Sequence, residues 1–338
     1  MFNEVKHKLG KERAEWTAKH NDRKIRKAGR ANANLAYKGG TIAPKYDSEN
    51  TWDLLFRLNA SIWKDVIWWC IFNTLIAGAV YTYNVEFVVA TTDKGHGFMS
   101  LAVSYLLVTR TKICLNRYRT QRTDLSNLCR TCEELVSHAV SFTRFKNKDE
   151  SGVKWRSSVA KRTITLLKVI VLVLRHPSTK RSVWEIHEIP KEMKDALELA
   201  VGKSNQRSPL VMNLFLRTAI ISHTRKLKPQ LEVSQELRLL ELTTDIMSAY
   251  TEIVTYINTP YPFPLVQMTR TILIFYIYTL PFALANDITS PVPYLLIIFL
   301  ITYGFIGMEL ICVEIDDPFG DDPNDFDVNA MANVSLSF

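Results

Sequence analysis

Residues 291–313, PVPYLLIIFLITYGFIGMELICV, run without a break into residues 314–327, EIDDPFGDDPNDFD. As a helix, an apolar run of this length reaches across ~30 Å of hydrocarbon. The carboxylates that crowd in directly afterwards stand where such a helix would leave a membrane. Working outward, further apolar runs lie near 66–89, 98–109 and 265–285. The chain has 338 residues, 47% of them hydrophobic, and a mean hydropathy near zero. That average mixes two unlike kinds of sequence, membrane spans and large aqueous parts. Four crossings are expected.

The formal net charge is +8, and the excess of Lys and Arg lies mostly in residues 1–60 and 110–230, whereas the connections at 91–97 and 286–292 carry almost none. The positive-inside rule places both basic parts, and with them both termini, on the cytoplasmic-type side. A basic chain is also expected of a nucleic-acid binder, but no zinc, stacking-platform or recognition-helix pattern appears. The five Cys at 70, 114, 129, 132 and 312 lie in or beside helical segments, unlike the framework of a small secreted domain. Cys129 and Cys132 form a lone CxxC without the second pair or adjacent His that zinc would need; they read as small residues on a helix face. The opening MFNEVKHKLGKERAEW has no apolar core, so no signal or transit peptide is expected in it.

The spacing predicts an all-α protein in five parts. Residues 1–60 form a basic arm ending in an amphipathic helix near 49–60, residues 61–118 a first membrane hairpin, and residues 119–258 a cytosolic helical bundle. Residues 259–314 form a second hairpin and residues 315–338 an acidic C-terminal segment. The bundle reads as helices at 118–146, 155–175, 185–203, 208–226 and 231–258, punctuated by Gly152, Pro177, Gly202, Pro209 and Pro229. No HExxH, P-loop, GxGxxG or GxSxG pattern occurs, so enzymatic chemistry has no visible seat.

The second apolar run meets Arg110, Thr111 and Lys112 before it can cross a bilayer, yet its helical pattern continues through Ile113 and Leu115 to Arg117. Ionisable residues at such depth usually face a bundle interior or water; the alternative is an early exit with snorkelling side chains. Leu101, Tyr105 and Thr109 repeat at i, i+4 and i+8 and share a face with Ser104 and Val108. Copies of this helix around an axis would stack them as rings, an apolar constriction in which electropositive Tyr edges favour an anion. Core packing against the first span is the competing reading. Arg110, Lys112 and Arg117 would then form a basic inner mouth that concentrates anions. Alternatively Glu309 or Glu314 neutralises them, with Arg270 in the same cluster, and they are structural.

Thr259-Pro-Tyr-Pro-Phe-Pro264, Leu280-Pro281-Phe282, Gly307-Met-Glu309-Leu310, Glu314-Ile-Asp-Asp-Pro-Phe-Gly320 and Asn324-Asp325 together resemble the bestrophin family, including its bacterial and plastid branches. Val108-Thr-Arg-Thr111 and Asn116-Arg117-Tyr118 agree with it. The resemblance covers roughly residues 50–330 and implies a homopentameric ion channel with four membrane helices per subunit, a cytosolic bundle and a pore lined by the second helix. The family's three-ring neck falls on Leu101, Tyr105 and Thr109, although the small polar Thr109 departs from the bulky apolar residue usual there. A second constriction is implied within 231–237. The acidic stretch resembles the calcium clasp of animal bestrophins, which maps Ca2+ ligation onto Asp317, Asp322 and Asp325; Pro323 and Asn324 look more like bacterial and plastid members. Without the metal, those carboxylates would cap helices or pair with basic residues.

The expected function is a ligand- or voltage-modulated anion channel for chloride, with nitrate or bicarbonate as further permeants, in a plasma or plastid thylakoid membrane with both termini on the cytoplasmic or stromal side. The expected partners are small anions, the lipid bilayer and further copies of the chain, with no nucleic acid. A cation-conducting relative and a non-conducting membrane scaffold are the alternatives.

Overall fold

The computed structural model describes residues 51–52, 60–83, 93–175, 193–195, 197, 205–285, 287–319, 324–328 and 331–332. Among these, every regular element is helical. The helices are α1 (Trp63–Tyr83), α2 (Asp93–Thr143), α3 (Glu150–Arg175), α4 (Ser208–Ile221), α5 (His223–Lys226), α6 (Val233–Asn258), α7 (Phe263–Leu284) and α8 (Pro291–Ile315). Most of the N-terminal arm, and the helix expected at 185–203 apart from four residues, lie outside the described residues.

Four helices, α1, α2, α7 and α8, are long and apolar enough to cross a membrane. They pack around a core of Val66, Cys70, Val103, Leu273, Tyr276, Ile277, Leu280 and Ile306. A second and larger core, centred on Leu125, Leu135, Trp155, Leu167, Ile170, Met212, Leu239 and Ile246, joins the inner half of α2 to α3, α4 and α6. The two cores share one element. The sequence reading split residues 98–146 into a membrane run and a bundle helix, but α2 is a single helix of 51 residues. At 1.5 Å per residue it is ~76 Å long, more than twice the hydrocarbon thickness. It therefore carries the membrane part and the bundle on one axis.

Gly152 does not punctuate the helices as its residue type suggests; it lies inside the first turn of α3. There a Cβ would stand 2.4 Å from the Asn147 carbonyl oxygen, so the site requires glycine for close approach. The expected helix 208–226 is broken at Ser222, between α4 and α5.

Two polar residues inside the membrane core are explained by Pro281. Within α7 this proline has no N–H to give the carbonyl of Ile277, one turn earlier. An unmatched carbonyl is costly where no water is at hand. Asn73 of α1 supplies the missing donor: its Nδ2 lies 3.2 Å from the Ile277 oxygen and 2.8 Å from Thr302 Oγ1 of α8. Thr302 passes its own proton to the Ile298 carbonyl at 2.7 Å. Asn73 and Thr302 are fully buried. The Pro281 carbonyl in turn accepts from Tyr294 Oη at 2.7 Å, so the proline is tied to both neighbouring helices.

This arrangement predicts a coupling. Asn73→Ala lowers stability by ~1 kcal/mol in the wild-type background, read as the melting temperature of detergent-solubilised protein. In Pro281→Ala, whose restored N–H satisfies Ile277, the same change costs less. Equal effects in the two backgrounds would show that Asn73 serves something other than the proline gap.

Candidate functional site

The membrane half of α2 has two unlike sides. Val103, Leu107, Arg110 and Cys114, spaced by four, three and four residues, are buried against α7 and α8. Leu101, Tyr105, Val108 and Thr109 are exposed, Tyr105 by 73%, and Ser104 is half-buried. Among the described residues no other element covers Leu101, Tyr105 or Thr109, while Ser104 and Val108 line a cavity against α8. Among the described residues, packing within one chain does not bury Leu101, Tyr105 or Thr109. Continuing inward at helical spacing, Lys112, Asn116 and Arg119 are exposed on the same side.

The three basic residues expected together at the inner mouth do not stay together. Arg110 is turned to the packed side and is 6% exposed. Its Nη1 lies 2.6 Å from each Glu309 carboxylate oxygen, and Arg270 Nε of α7 approaches Glu309 Oε1 to 2.5 Å. The Tyr261 ring stands 6.0 Å from the Arg110 guanidinium. One carboxylate thus joins three membrane helices, and the cluster retains one net positive charge. A charge at this depth is tolerated when paired, so the burial of Arg110 follows from the presence of Glu309.

Arg117 is also on the packed side. Its guanidinium lies 4.4 Å from the centre of the Tyr256 ring, donates to the Thr259 carbonyl at 2.9 Å and comes within 3.9 Å of Asp316. Tyr256 Oη donates to the Asp316 carbonyl at 3.2 Å. Burial pushes the Tyr256 phenol up while Arg117 acts in the opposite sense. These contacts clamp α2 to the end of α6 and the end of α8, where membrane part and bundle meet. Only Lys112 of the three expected residues shares the exposed stripe. Arg119, which the sequence reading passed over as a site, joins it there; the legible signal was its seven-residue spacing from Lys112, two helical turns.

A family model described as bacterial/fungal bestrophin protein matches residues 43–336. The chain belongs to this bestrophin family. A bacterial bestrophin homologue from Klebsiella pneumoniae superposes with a TM-score of 0.68 at 16% identity, over 80% of this chain and 96% of that one; a second crystal structure of that homologue gives 0.68 at 17%. Among curated proteins, a voltage-dependent anion channel-forming protein of Nostoc sp. is 22% identical over 296 residues, 87% of this chain and 91% of that protein. A protein of the same description from Salmonella typhi is 34% identical over 77 residues, 23% of this chain, so the matched region spans a quarter (25%) of that relative's length. The Escherichia coli K12 counterpart is 31% identical over 136 residues, 40% of this chain and 42% of that protein. Bestrophin membership and the four apolar helices make this an integral membrane protein.

The bestrophin acidic segment folds back on the bundle. The Phe326 N–H donates to the Pro318 carbonyl at 2.9 Å, and the Phe326 ring packs on Phe319 and on Tyr118 of α2, with centroids 5.5 and 4.7 Å apart. Asn324 Nδ2 reaches the Ala60 carbonyl at 3.3 Å. Asp317 is exposed and Asp325 is buried; Asp322 lies outside the described residues. Among the described residues no three His, Cys, Asp or Glu side chains converge as a metal would require. With Asp322 outside the described residues, the set implied by the resemblance is seen only in Asp317 and Asp325.

In the 231–237 segment, Val233 and Leu237 are exposed on the first turns of α6. Behind them, buried His223 receives the Leu231 N–H at Nδ1, 3.3 Å away, and directs Nε2 toward Glu236 at 3.1 Å. The Lys146–Glu232 pair at 3.1 Å ties the same turn to the end of α2.

Truncating the shared carboxylate should be the most damaging change in the membrane part. Glu309→Ala strands two cations and costs ~3–5 kcal/mol, seen as a fall in thermal stability by fluorescence-detected size exclusion. Arg270, 45% exposed, should cost less on removal. A larger loss for Arg270→Ala than for Glu309→Ala would show that the carboxylate is not the hub.

Proposed function

We propose that the protein is an anion channel, chloride foremost, with its permeation path along the exposed stripe of α2. The observation that carries this reading is the division of α2, within its apolar part, into a packed side and a side left exposed among the described residues. Leu101, Tyr105, Val108 and Thr109 are exposed in the single chain, and further copies arranged around an axis would bring these stripes to face one another. Five copies are expected from the bestrophin resemblance. The anion-channel descriptions of the relatives support the same reading, as does their voltage dependence for the mode of modulation.

Apolar Leu101 and Val108 narrow the path, and Tyr105 adds ring edges that carry positive potential toward a desolvated anion. Thr109 offers a hydroxyl at the inner end, where the bestrophin neck usually has bulk, so this end of the path is wider and wetter. Beyond it Lys112 and Arg119, multiplied by the copy number, raise the local anion concentration. Arg110 and Arg117 hold the helix and do not meet the ion. The basic parts of the chain, and both termini with them, lie on the cytoplasmic or stromal side.

Reversal potentials under bi-ionic conditions test the neck. Tyr105→Ala should change permeability ratios among chloride, nitrate and sodium more than Leu101→Ala does, because the ring edge meets the ion. Wild-type ratios in both variants would remove the stripe from the pathway, and sodium selectivity in the wild type would replace anions by cations. Lys112→Glu with Arg119→Glu should lower chloride conductance severalfold at ~10 mM salt and much less at ~150 mM, where screening shortens the reach of charge. A salt-independent loss would point to damaged packing instead.

A further inference from the structure

The two guanidiniums on Glu309 are placed unequally. Arg110 is 6% exposed and meets both carboxylate oxygens through Nη1. Arg270 gives the carboxylate only its Nε and keeps 45% of its side chain exposed. Its Nη1 and Nη2 donate to no group among the described residues. One carboxylate against two cations leaves a positive charge over, and Arg270 is the residue that presents it at the surface. The depth of that charge follows from its neighbours. Both α1 and α7 run antiparallel to α8: Asn73 of α1 meets Thr302 and Val66 lies against Gly307, while Arg270 of α7 meets Glu309 and Pro281 meets Tyr294. Gly307 and Glu309 are ~3 Å apart along α8, so Arg270 stands near the level of Val66, in the first turn of α1. Trp63, Trp68 and Trp69 cluster there, with Trp68 72% exposed, as aromatic residues do at the water interface of a membrane. Lys64 and Asp65 of the same turn are both exposed and cancel in formal charge.

On α7, Gln267, Arg270 and Ile274 follow at i, i+3 and i+7 and are all exposed. From the bundle end toward the middle of the membrane part, this face offers an amide, a guanidinium and an aliphatic side chain, with Phe275, 63% exposed, beside the last. A phospholipid has the same order: headgroup, phosphate, acyl chain. We infer that this face of α7 binds a phospholipid, with Arg270 Nη1 and Nη2 donating to two phosphate oxygens. The planar fork of arginine suits a phosphate in this bidentate way, and the Glu309 contact at Nε holds the fork in place beforehand. Gln267 meets the headgroup, and Ile274 and Phe275 meet the acyl chain. Lipids of net negative charge are preferred, since in a zwitterionic lipid the headgroup cation already offsets the phosphate. Free phosphate engages the guanidinium alone and gains nothing from the apolar end of the face. The bound lipid would rest on the ion-pair cluster that joins α2, α7 and α8.

The test uses the full-length protein in a neutral detergent, titrated with dioleoyl phosphatidylglycerol, with dioleoylglycerol, which has the same chains and no phosphate, or with inorganic phosphate. Bound lipid is read by native mass spectrometry and stabilisation by thermal shift. The wild type is expected to bind phosphatidylglycerol about tenfold more tightly than dioleoylglycerol, the size of one charge-assisted contact. Arg270→Ala should remove that preference and leave dioleoylglycerol binding unchanged. Lys154→Ala, on an exposed side chain of the bundle, should change neither. Equal binding of the two lipids by the wild type would overturn the proposal without any variant, so a failure of Arg270→Ala to fold does not protect it. An undiminished preference in folded Arg270→Ala would overturn it as well, as would an equal loss in Lys154→Ala. Stabilisation by inorganic phosphate equal to that by phosphatidylglycerol would overturn the lipid as the source of the phosphate. No current is measured, so the outcome is independent of whether the chain conducts anions.

Discussion

A carboxylate at membrane depth between two guanidiniums is the constraint on which the rest of the membrane part depends. Glu309 is the only charged residue in α8 before Glu314 near its end, and alone it would be expelled or neutralised. Arg110 alone would have the same difficulty on α2. Held at 2.6 Å, each makes the other's burial tolerable, and Arg270 brings in the third helix. Charge pairing of this kind is directional in a way that apolar contact between helices and lipid is not. In a bilayer the hydrophobic effect does not distinguish helix from lipid, so the register and rotation of α2 need polar contacts to specify them. With Arg110 fixed toward α8, the residues on the opposite side of α2 have their direction decided as well.

The same logic runs through the rest of the membrane part. The proline of α7 leaves a carbonyl unserved, Asn73 of α1 serves it, and Thr302 of α8 completes the contact. Further inward, Arg117 lies against Tyr256 and binds the Thr259 carbonyl, so that the end of α6 and the start of α7 are fastened to α2. Because α2 continues as one helix into the bundle, the bundle and the stripe lie on one axis. The acidic segment after α8 rests on α2 through Phe326 and Tyr118.

Much of the architecture was legible in the residues. Four apolar runs gave the four membrane helices, since length and hydropathy alone decide what can span hydrocarbon. The all-α bundle followed from the 3.6-residue period and the lack of alternation. The stripe of Leu101, Tyr105 and Thr109 was legible from spacing, but spacing alone also allowed it to be core. Two expectations failed for identifiable reasons. Gly152 read as a helix breaker because residue type carries no information about what approaches it, and Asn147 approaches it closely. The helical pattern of α2 was legible past Arg110 as far as Arg117, but its continuation as the same helix to Thr143 was not, because an apolar run and a bundle helix differ in hydropathy. Of the residues of the implied calcium clasp, two are described: Asp317 is exposed and Asp325 is buried.

The sequence by itself determined which segments are apolar enough to be buried in lipid and which family pattern the chain carries, because those follow from composition and order along the chain. Which way each charged side chain of α2 turns was decided only by tertiary structure. Arg110, Lys112 and Arg117 lie within eight residues on one helix, and nothing in that spacing says which of them will find a carboxylate. Glu309, 199 residues further along, takes Arg110; Asp316 and Tyr256 hold Arg117; Lys112 is left on the exposed side with Arg119. A charge acquires its role from its partner, and partners distant in sequence meet only once the helices have packed.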